Sequence, residues 1–201
     1  MSDVIVLHAA SPGHFAGFDP AWLLPRLAYA KRLELERRDP SSRQAALAGI
    51  ALALVAAQRL RGVPAAVAEL RFPMDDKPAF DDGPYFSVSH TDGRVACAAC
   101  LDFDCGFDFE FIPVGADAAT RLRLQRWTAT EAVLKAAGLG LRDVQEVRVD
   151  PSLATGVVRN VSYVLRALDF GPHYAAHLAT PTPARVVRIE MVPATPAAPA
   201  A

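Results

Sequence analysis

Gly106-Phe107-Asp108-Phe109-Glu110 is the stretch of sequence that decides the fold. Apolar and acidic residues alternate along it, which predicts a β-strand with Asp108 and Glu110 on one face and the phenylalanines on the other. The flanking phenylalanines favour burial of one strand face. The two carboxylates could still be surface positions of an edge strand, and the remaining sequence has to decide between that and a metal site.

A second segment, Trp127 to Lys135 (WTATEAVLK), predicts a helix that carries Glu131 and Lys135 four residues apart, on one stripe. Alone, such a pair is an ordinary surface ion pair. Together with the two strand carboxylates, it would bring three carboxylates and one ammonium to one place. That combination suits a hard divalent cation that holds phosphate oxygens.

Both segments lie within a chain that alternates helical and β-like patterns, which predicts an α+β fold. We expect two similar α+β halves, residues 1–101 and 102–192, with the active site between them, and a disordered Pro/Ala tail over residues 193–201. The predicted helices cover 27–38, 41–61 and 117–137, the second capped by Ser41 or Ser42. The predicted strands cover 4–8, 69–72, 85–89, 94–101, 106–111, 147–149, 156–158, 162–168, 174–179 and 186–191.

Composition excludes several classes of protein. Of the 201 residues, 52% are hydrophobic and 21% are charged, as in globular domains, and a formal net charge of -1 argues against a broad nucleic-acid-binding surface. No uncharged run is longer than residues 44–58, which are too few to span a bilayer, so no membrane partner is expected. The first ten residues lack the basic region of a secretion signal, and we expect a cytoplasmic protein.

The three cysteines leave two interpretations open. Cys97 and Cys100 form a C-x-x-C, a spacing that serves zinc or redox chemistry, and Cys105 follows shortly after. Because this C-x-x-C lies in an apolar strand-like run without a second such motif, buried structural thiols are the favoured interpretation.

Three motifs in order resemble one known family. They are Phe86-Ser87-Val88-Ser89-His90, then Gly106 to Glu110, then Trp-x-x-x-Glu-Ala-x-x-Lys-x-x-Gly-x-Gly-Leu from Trp127 to Leu141. The chain resembles the long, two-lobed 4′-phosphopantetheinyl transferases, which activate peptide and polyketide synthases. The similarity is plain from Lys77 to Leu141.

The resemblance implies two related α+β halves, with coenzyme A and Mg²⁺ in the cleft between them. It implies metal binding by Asp108, Glu110 and Glu131, and catalysis by Glu131, as a general base, with Lys135 on the diphosphate. It also implies a coenzyme A site, made by Lys31, Arg43, Lys77, Pro78, Ser89, His90 and Lys135. The chain has only three lysines among its 21 basic residues, and all three fall in this set.

The expected activity is the Mg²⁺-dependent transfer of 4′-phosphopantetheine from coenzyme A to a serine of an apo acyl or peptidyl carrier protein, as in fatty-acid, polyketide and nonribosomal peptide biosynthesis. One alternative is a homologue that binds coenzyme A or a carrier protein without transfer, and another is a Mg²⁺-dependent phosphohydrolase. We expect a monomer, because both walls of the cleft come from one chain. Trp127 is expected to pack in the core rather than to contact substrate.

Overall fold

The computed structural model describes residues 2–10, 20–73 and 77–192, and these residues form a mixed α+β fold. The helices are α1 (Pro20–Leu23), α2 (Tyr29–Glu36), α3 (Pro40–Arg61) and α4 (Ala118–Ala136), with 3₁₀ turns at Leu24–Arg26, Val67–Glu69 and Leu141–Glu146. The strands are β1 (Ser2–Ala10), β2 (Leu70–Arg71), β3 (Ala79–Phe80), β4 (Tyr85–Thr91), β5 (Arg94–Cys100), β6 (Gly106–Phe111), β7 (Arg148–Val149), β8 (Thr155–Val158), β9 (Val161–Ala167), β10 (Tyr174–Thr180) and β11 (Ala184–Met191).

The first sheet has the strand order β11-β1-β5-β4 and carries α3 on its outer face. α3 begins at Pro40, and the side chain of the preceding Asp39 accepts a hydrogen bond from the Ser42 amide at 3.0 Å. The helix ends at Arg61 and is followed by Gly62 in the left-handed conformation. The predicted Ser41 or Ser42 cap is therefore wrong, because Pro40 occupies the first helical turn and leaves Asp39 at the capping position. The strongly apolar composition of α3 is explained by its burial against this sheet.

The second sheet has the order β6-β10-β9-β8-β7, and α4 packs on its outer face. Gly106, the first residue of β6, allows a close approach, because a Cβ at this position would lie 1.9 Å from the Ala132 carbonyl oxygen and 2.3 Å from the Ala136 amide nitrogen, both in α4. Only a residue without a side chain lets the helix lie so near the strand. The segment that carries Glu131 and Lys135 is thereby fixed against the strand that carries Asp108.

The inner faces of the two sheets share a core. Val4 and Val6 of β1 pack with the Phe107 and Phe109 side chains of β6. The edge strands β4 and β6 are not paired through their backbones, and three β4 hydroxyl side chains connect them. We call this contact the hydroxyl seam; its members are Ser87, Ser89 and Thr91. It joins the two sheets next to the predicted metal site.

Most predicted elements are confirmed, with shifts of a few residues at their ends. The β4–β5 hairpin turns at Asp92 and Gly93, whose positive φ angles of 42° and 67° are those of the two-residue hairpin turn that an Asp-Gly sequence favours. The last strand differs from expectation: β11 pairs in parallel with β1 and so joins the first sheet, although the division at residues 101 and 102 assigned it to the second half. The predicted tail over 193–201 lies outside the described residues.

Two further expectations concern burial. Cys97, Cys100 and Cys105 are all buried free thiols, as the structural interpretation predicted. Burial raises the pKa of the Cys105 thiol to about 12, so this thiol stays protonated and unreactive. No helix in the described ranges is long and apolar enough to cross a membrane.

Candidate active site

Asp108 lies at the centre of the candidate site and is only 2% exposed. Its Oδ1 accepts hydrogen bonds from Ser89 Oγ at 2.7 Å and from Lys135 Nζ at 2.6 Å. Its Oδ2 is buried and accepts no hydrogen bond from a nitrogen or hydroxyl donor among the described residues. A buried carboxylate oxygen without a partner is costly, which makes it a candidate ligand for a cation.

Glu131 approaches Asp108 from α4, with Lys135 beside both carboxylates. Lys135 Nζ lies 3.5 Å from Glu131 Oε2, and this ammonium is the only cation that forms an ion pair with either carboxylate among the described residues. Burial and the nearby Asp108 carboxylate raise the pKa of Glu131 to about 7, although Lys135 opposes the shift. The predicted meeting of strand and helix is thus observed for Asp108, Glu131 and Lys135.

Glu110 is held differently from the other two carboxylates. Thr91 Oγ1 donates a hydrogen bond to Glu110 Oε2 at 2.8 Å, and the same hydroxyl oxygen accepts from the Phe111 amide at 3.3 Å. Across the described ranges, no three His, Cys, Asp or Glu side chains are arranged to hold a metal ion. Asp108 and Glu131 lie close together, whereas the Glu110 carboxylate is hydrogen-bonded to Thr91 in the first half of the chain.

The donor set nevertheless fits Mg²⁺ in chemistry. All candidate ligands are carboxylate oxygens, the type that Mg²⁺ prefers, and Mg²⁺ usually needs only one or two protein carboxylates when substrate phosphates complete its shell. Among the described residues, Asp108 Oδ2 has no nitrogen or hydroxyl donor to lose, and ionised Glu131 beside Asp108 would gain a counter-charge. Asp108 and Glu131 are therefore the residues best placed to hold a divalent cation.

Three cavities adjoin one another and include Glu131 and Lys135, but not Asp108 or Glu110, in their lining. We name each after one lining residue. The His90 cavity has a volume of about 180 Å³ and is lined by Lys31, Arg38, Ala45, Ala46, Gly49, Ile50, Phe72, Pro78, Phe86, Val88 and His90. The Lys77 cavity, of about 270 Å³, is lined by Lys77, Pro78, Phe86, Ser87, Val88 and Lys135. The Glu131 cavity, of about 260 Å³, is lined by Glu131, Leu134, Lys135, Leu139, Gly140 and Leu141. Shared lining residues make the three cavities neighbours.

The mouth of the His90 cavity carries two cations held by one carboxylate. Glu34 accepts from Lys31 Nζ at 2.8 Å and from Arg38 at 2.5 Å, and the three residues share one face of α2 and the turn after it. Lys31 also lies over the Phe72 ring, 5.2 Å from its centroid. Arg38 was missed by the sequence interpretation, although its i, i+4 spacing from Glu34 predicts the contact.

Lys77 and Pro78 connect the first two cavities. Pro78 lines both of them, and Lys77 Nζ donates to the Asp104 carboxylate and to the Cys105 carbonyl oxygen at 2.5 Å. Lys77 is thereby anchored at the start of β6, with its ammonium at the wall of the Lys77 cavity.

The observed positions of Ser89, Arg43 and Trp127 can be compared with their predicted roles. Ser89, expected with His90 near coenzyme A phosphates, is buried and directed at Asp108, whereas His90 is exposed at its cavity. Arg43 is half-buried in the first turn of α3 and lines none of the three cavities. The prediction that Trp127 packs in the core is wrong: it is 37% exposed, in the part of α4 before Thr128 where every residue is half-buried or exposed.

A buried histidine supports α4 behind the site. His177 of β10 is opposite Asp108 in the sheet and lies 2.8 Å from Thr128 Oγ1 through its Nδ1. The Thr128 hydroxyl donates its proton to the Gln125 carbonyl oxygen, so His177 Nδ1 carries the proton in this contact. Burial lowers the pKa of His177 to about 4, and the ring is neutral near pH 7.

Comparison with known proteins adds no assignment. No protein-family model matches this sequence, and no curated protein matches it at a significant level.

Proposed function

We propose that the protein is a 4′-phosphopantetheinyl transferase, which moves 4′-phosphopantetheine from coenzyme A to a carrier-protein serine and releases adenosine 3′,5′-bisphosphate. One observation carries the proposal: the buried Asp108 carboxylate, whose Oδ2 has no nitrogen or hydroxyl donor among the described residues, lies beside Glu131 and Lys135, and Lys135 lines both the Lys77 cavity and the Glu131 cavity. The three motifs that suggested the family supply most of the residues of this site.

The cavities suit a long anionic ligand such as coenzyme A. Lys31 and Arg38 give the first cavity a cationic rim, with the His90 ring as a further hydrogen-bonding group, which suits the 3′-phosphate, and the apolar side chains beside them suit the adenine. Lys77 and Lys135 line the next cavity, where two ammonium groups suit the diphosphate. The largely apolar Glu131 cavity would then receive the pantetheine arm or the incoming carrier serine.

Asp108 and Glu131 would hold Mg²⁺, joined by Glu110 if that carboxylate leaves Thr91. When bound, Mg²⁺ would supply neutralisation of phosphate charge at the reacting phosphorus.

The side chains of this chain would divide the remaining work. Lys135 and Lys77 bind phosphate oxygens and align the diphosphate. Glu131, once ionised, accepts the proton of the serine hydroxyl at a carboxylate oxygen. The serine oxygen forms a bond to the pantetheine-side phosphorus, the bond from that phosphorus to the bridging oxygen breaks, and the leaving bisphosphate carries away the electron pair. No covalent intermediate with the protein is needed.

The proposed fold is the two-lobed architecture of the same family. In support, each sheet carries one long helix on its outer face, α3 on the first and α4 on the second, and the candidate site lies beside the hydroxyl seam between them. The proposed location is the cytoplasm, where coenzyme A and apo carrier proteins are both present.

The experiment is incubation with coenzyme A, Mg²⁺ and a panel of apo carrier proteins, followed by intact mass spectrometry of the carriers. A mass gain of one phosphopantetheine group on a carrier serine is expected. Coenzyme A binding without any mass gain would indicate a binding homologue, and hydrolysis of coenzyme A without a carrier would indicate a phosphohydrolase.

Two variants test the division of roles. Asp108→Ala should abolish transfer and the Mg²⁺-dependent part of coenzyme A binding together, because it removes the buried ligand oxygens. Glu131→Gln keeps size and one oxygen ligand but loses basicity, so binding should survive while turnover falls by about 10²–10⁴. Near-normal turnover of Glu131→Gln would remove the general-base assignment and leave Glu131 as a ligand only.

A further inference from the structure

Lys135 already occupies the position of a cation between the two central carboxylates. Its Nζ is 2.6 Å from Asp108 Oδ1 and 3.5 Å from Glu131 Oε2. Because Asp108 is buried, this ammonium provides the internal neutralisation of a charge that water cannot reach.

The same side chain has a second place to go. Lys135 lines both the Lys77 cavity and the Glu131 cavity, and its side chain is 28% exposed. A lysine ammonium is a compact charge on a flexible four-carbon stem, so it can leave the carboxylates for a nearby anion without any backbone movement.

We propose that Lys135 is an internal counter-ion that competes with a divalent cation for Asp108 and Glu131, and that it yields its place when a phosphate ligand enters the Lys77 cavity. This inference rests on the proposed function and adds a regulation of the same site: the cation and the phosphate ligand bind as a pair.

The competition between Lys135 and a divalent cation follows from repulsion between like charges. A divalent cation entering beside Lys135 meets an ammonium at a few ångströms, and like charges at that distance oppose each other strongly in a partly buried site. An anionic phosphate in the Lys77 cavity attracts Lys135 and frees Asp108 Oδ1, so one ligand prepares the site for the other. Coupling of this kind is reciprocal: the cation must strengthen phosphate binding by the same factor.

The proposal predicts that removal of the Lys135 ammonium tightens the binding of a divalent cation. Mn²⁺ binding to the full chain, followed by electron paramagnetic resonance at pH 8 without coenzyme A, should be about tenfold tighter in Lys135→Met and Lys135→Gln than in wild type. Coenzyme A should tighten Mn²⁺ binding in wild type by about 5–150-fold, and by a smaller factor in both variants.

The matched control is Arg126→Met. Arg126 is exposed on the same helix, nine residues or about 13 Å along its axis from Lys135, so its loss changes the net charge equally without touching the carboxylates. Its Mn²⁺ affinity without coenzyme A should equal that of wild type.

The outcomes separate this inference from the proposed function. Unchanged or weaker Mn²⁺ binding in both Lys135 variants, with melting temperatures showing that at least one of them is folded, would overturn the inference alone and leave transfer activity as evidence for the function. The same gain in Arg126→Met would also overturn it, since the effect would then be net charge. Tighter Mn²⁺ binding in a protein that fails the transfer assay would keep the inference and reject the proposed function. Wild type that binds no Mn²⁺, even with coenzyme A, would overturn both.

Discussion

Gly106 is the residue on which the alignment of the site depends. A methyl group at this position would lie 1.9 Å from the Ala132 carbonyl oxygen, so Gly106→Ala must push α4 away from β6. We expect a loss of about 3 kcal/mol or more in the free energy of unfolding, at the upper end of overpacking effects, measured by urea denaturation. Coenzyme A affinity should fall as well, because Glu131 and Lys135 move with the helix.

Gly140 provides the control for this substitution. Nothing lies within 4 Å of a Cβ built on it, and its φ of -105° is ordinary for any residue. Gly140→Ala should therefore leave the free energy of unfolding within about 0.5 kcal/mol of wild type. Equal losses in the two variants would show that helix–strand contact at Gly106 is not the cause.

His177 gives the fold a defined dependence on pH. Its pKa falls from about 6.5 in the unfolded chain to about 4 in the folded protein, so between these values the unfolded state binds more protons. Stability contributed by neutral His177 is present above pH 6.5 and decreases as the pH falls towards 4. Comparing pH 7.5 with pH 5, the loss should be up to about 2 kcal/mol.

The measurement is urea denaturation of wild type and His177→Gln at both pH values. The burial that lowers the pKa of His8 contributes a loss in the same direction, so the test is the difference between the two proteins. The variant should lose less stability on acidification than wild type. A pH dependence that is identical in both would mean that His177 does not titrate as described.

At the scale of elements, the hydroxyl seam lets side chains from the first half of the chain hold carboxylates of the second half in position. Thr91→Val keeps the shape of the side chain but leaves Glu110 and the Phe111 amide without their hydroxyl partner. We expect a loss of about 1 kcal/mol in stability. We also expect a changed Mg²⁺ requirement for coenzyme A binding, measured by titration calorimetry, since Glu110 is then free to turn.

Thr91→Ser restores the hydroxyl and should restore both properties. Ser87→Ala is a second comparison, because among the described residues the Ser87 hydroxyl contacts the backbone of Phe107 across the same seam and no carboxylate. Ser87 also lines the Lys77 cavity, so the property compared is the Mg²⁺ requirement and not the affinity for coenzyme A. It should lower stability without altering the Mg²⁺ requirement. An altered Mg²⁺ requirement in Ser87→Ala would assign the effect to loosening of the seam rather than to Glu110.

The sequence predicted the elements because each has a strong local signal. The Asp-Gly turn, the apolar α3 and the alternating β6 are all readable within ten or twenty residues. The approach of Asp108, Glu131 and Lys135 was predictable too, because carboxylates and an ammonium from the two segments together suit one divalent-cation site.

The features that were not predicted from the sequence depend on contacts between distant segments. Periodicity cannot say which strands lie side by side, so the Thr91–Glu110 bond and the pairing of β11 with β1 were not foreseen. Trp127 was misjudged because its apolar character is visible in the sequence, whereas the exposure of α4 before Thr128 is not. The cap at Asp39 was missed because serines are common caps and the role of Pro40 was underestimated.

At the scale of the whole molecule, we expect a monomer. The candidate site is built beside a seam between two edge strands of one chain, so a second subunit is not needed to complete it. Light scattering coupled to gel filtration should give the mass of one chain, with and without coenzyme A. A trimer whose coenzyme A binding disappears on dilution would contradict this expectation.

The pairing of β1 with β11 has a consequence for the timing of synthesis. Once β5 has left the ribosome, β1 can pair on one side, but its other partner spans residues 184–191 and is made last. At about 5–20 residues per second, the apolar β1 edge waits roughly 5 to 20 seconds for that partner. Throughout this interval the nascent chain presents an open, strongly apolar strand. The protein is thus most exposed to aggregation, and most dependent on chaperones, until residues 184–191 have been translated.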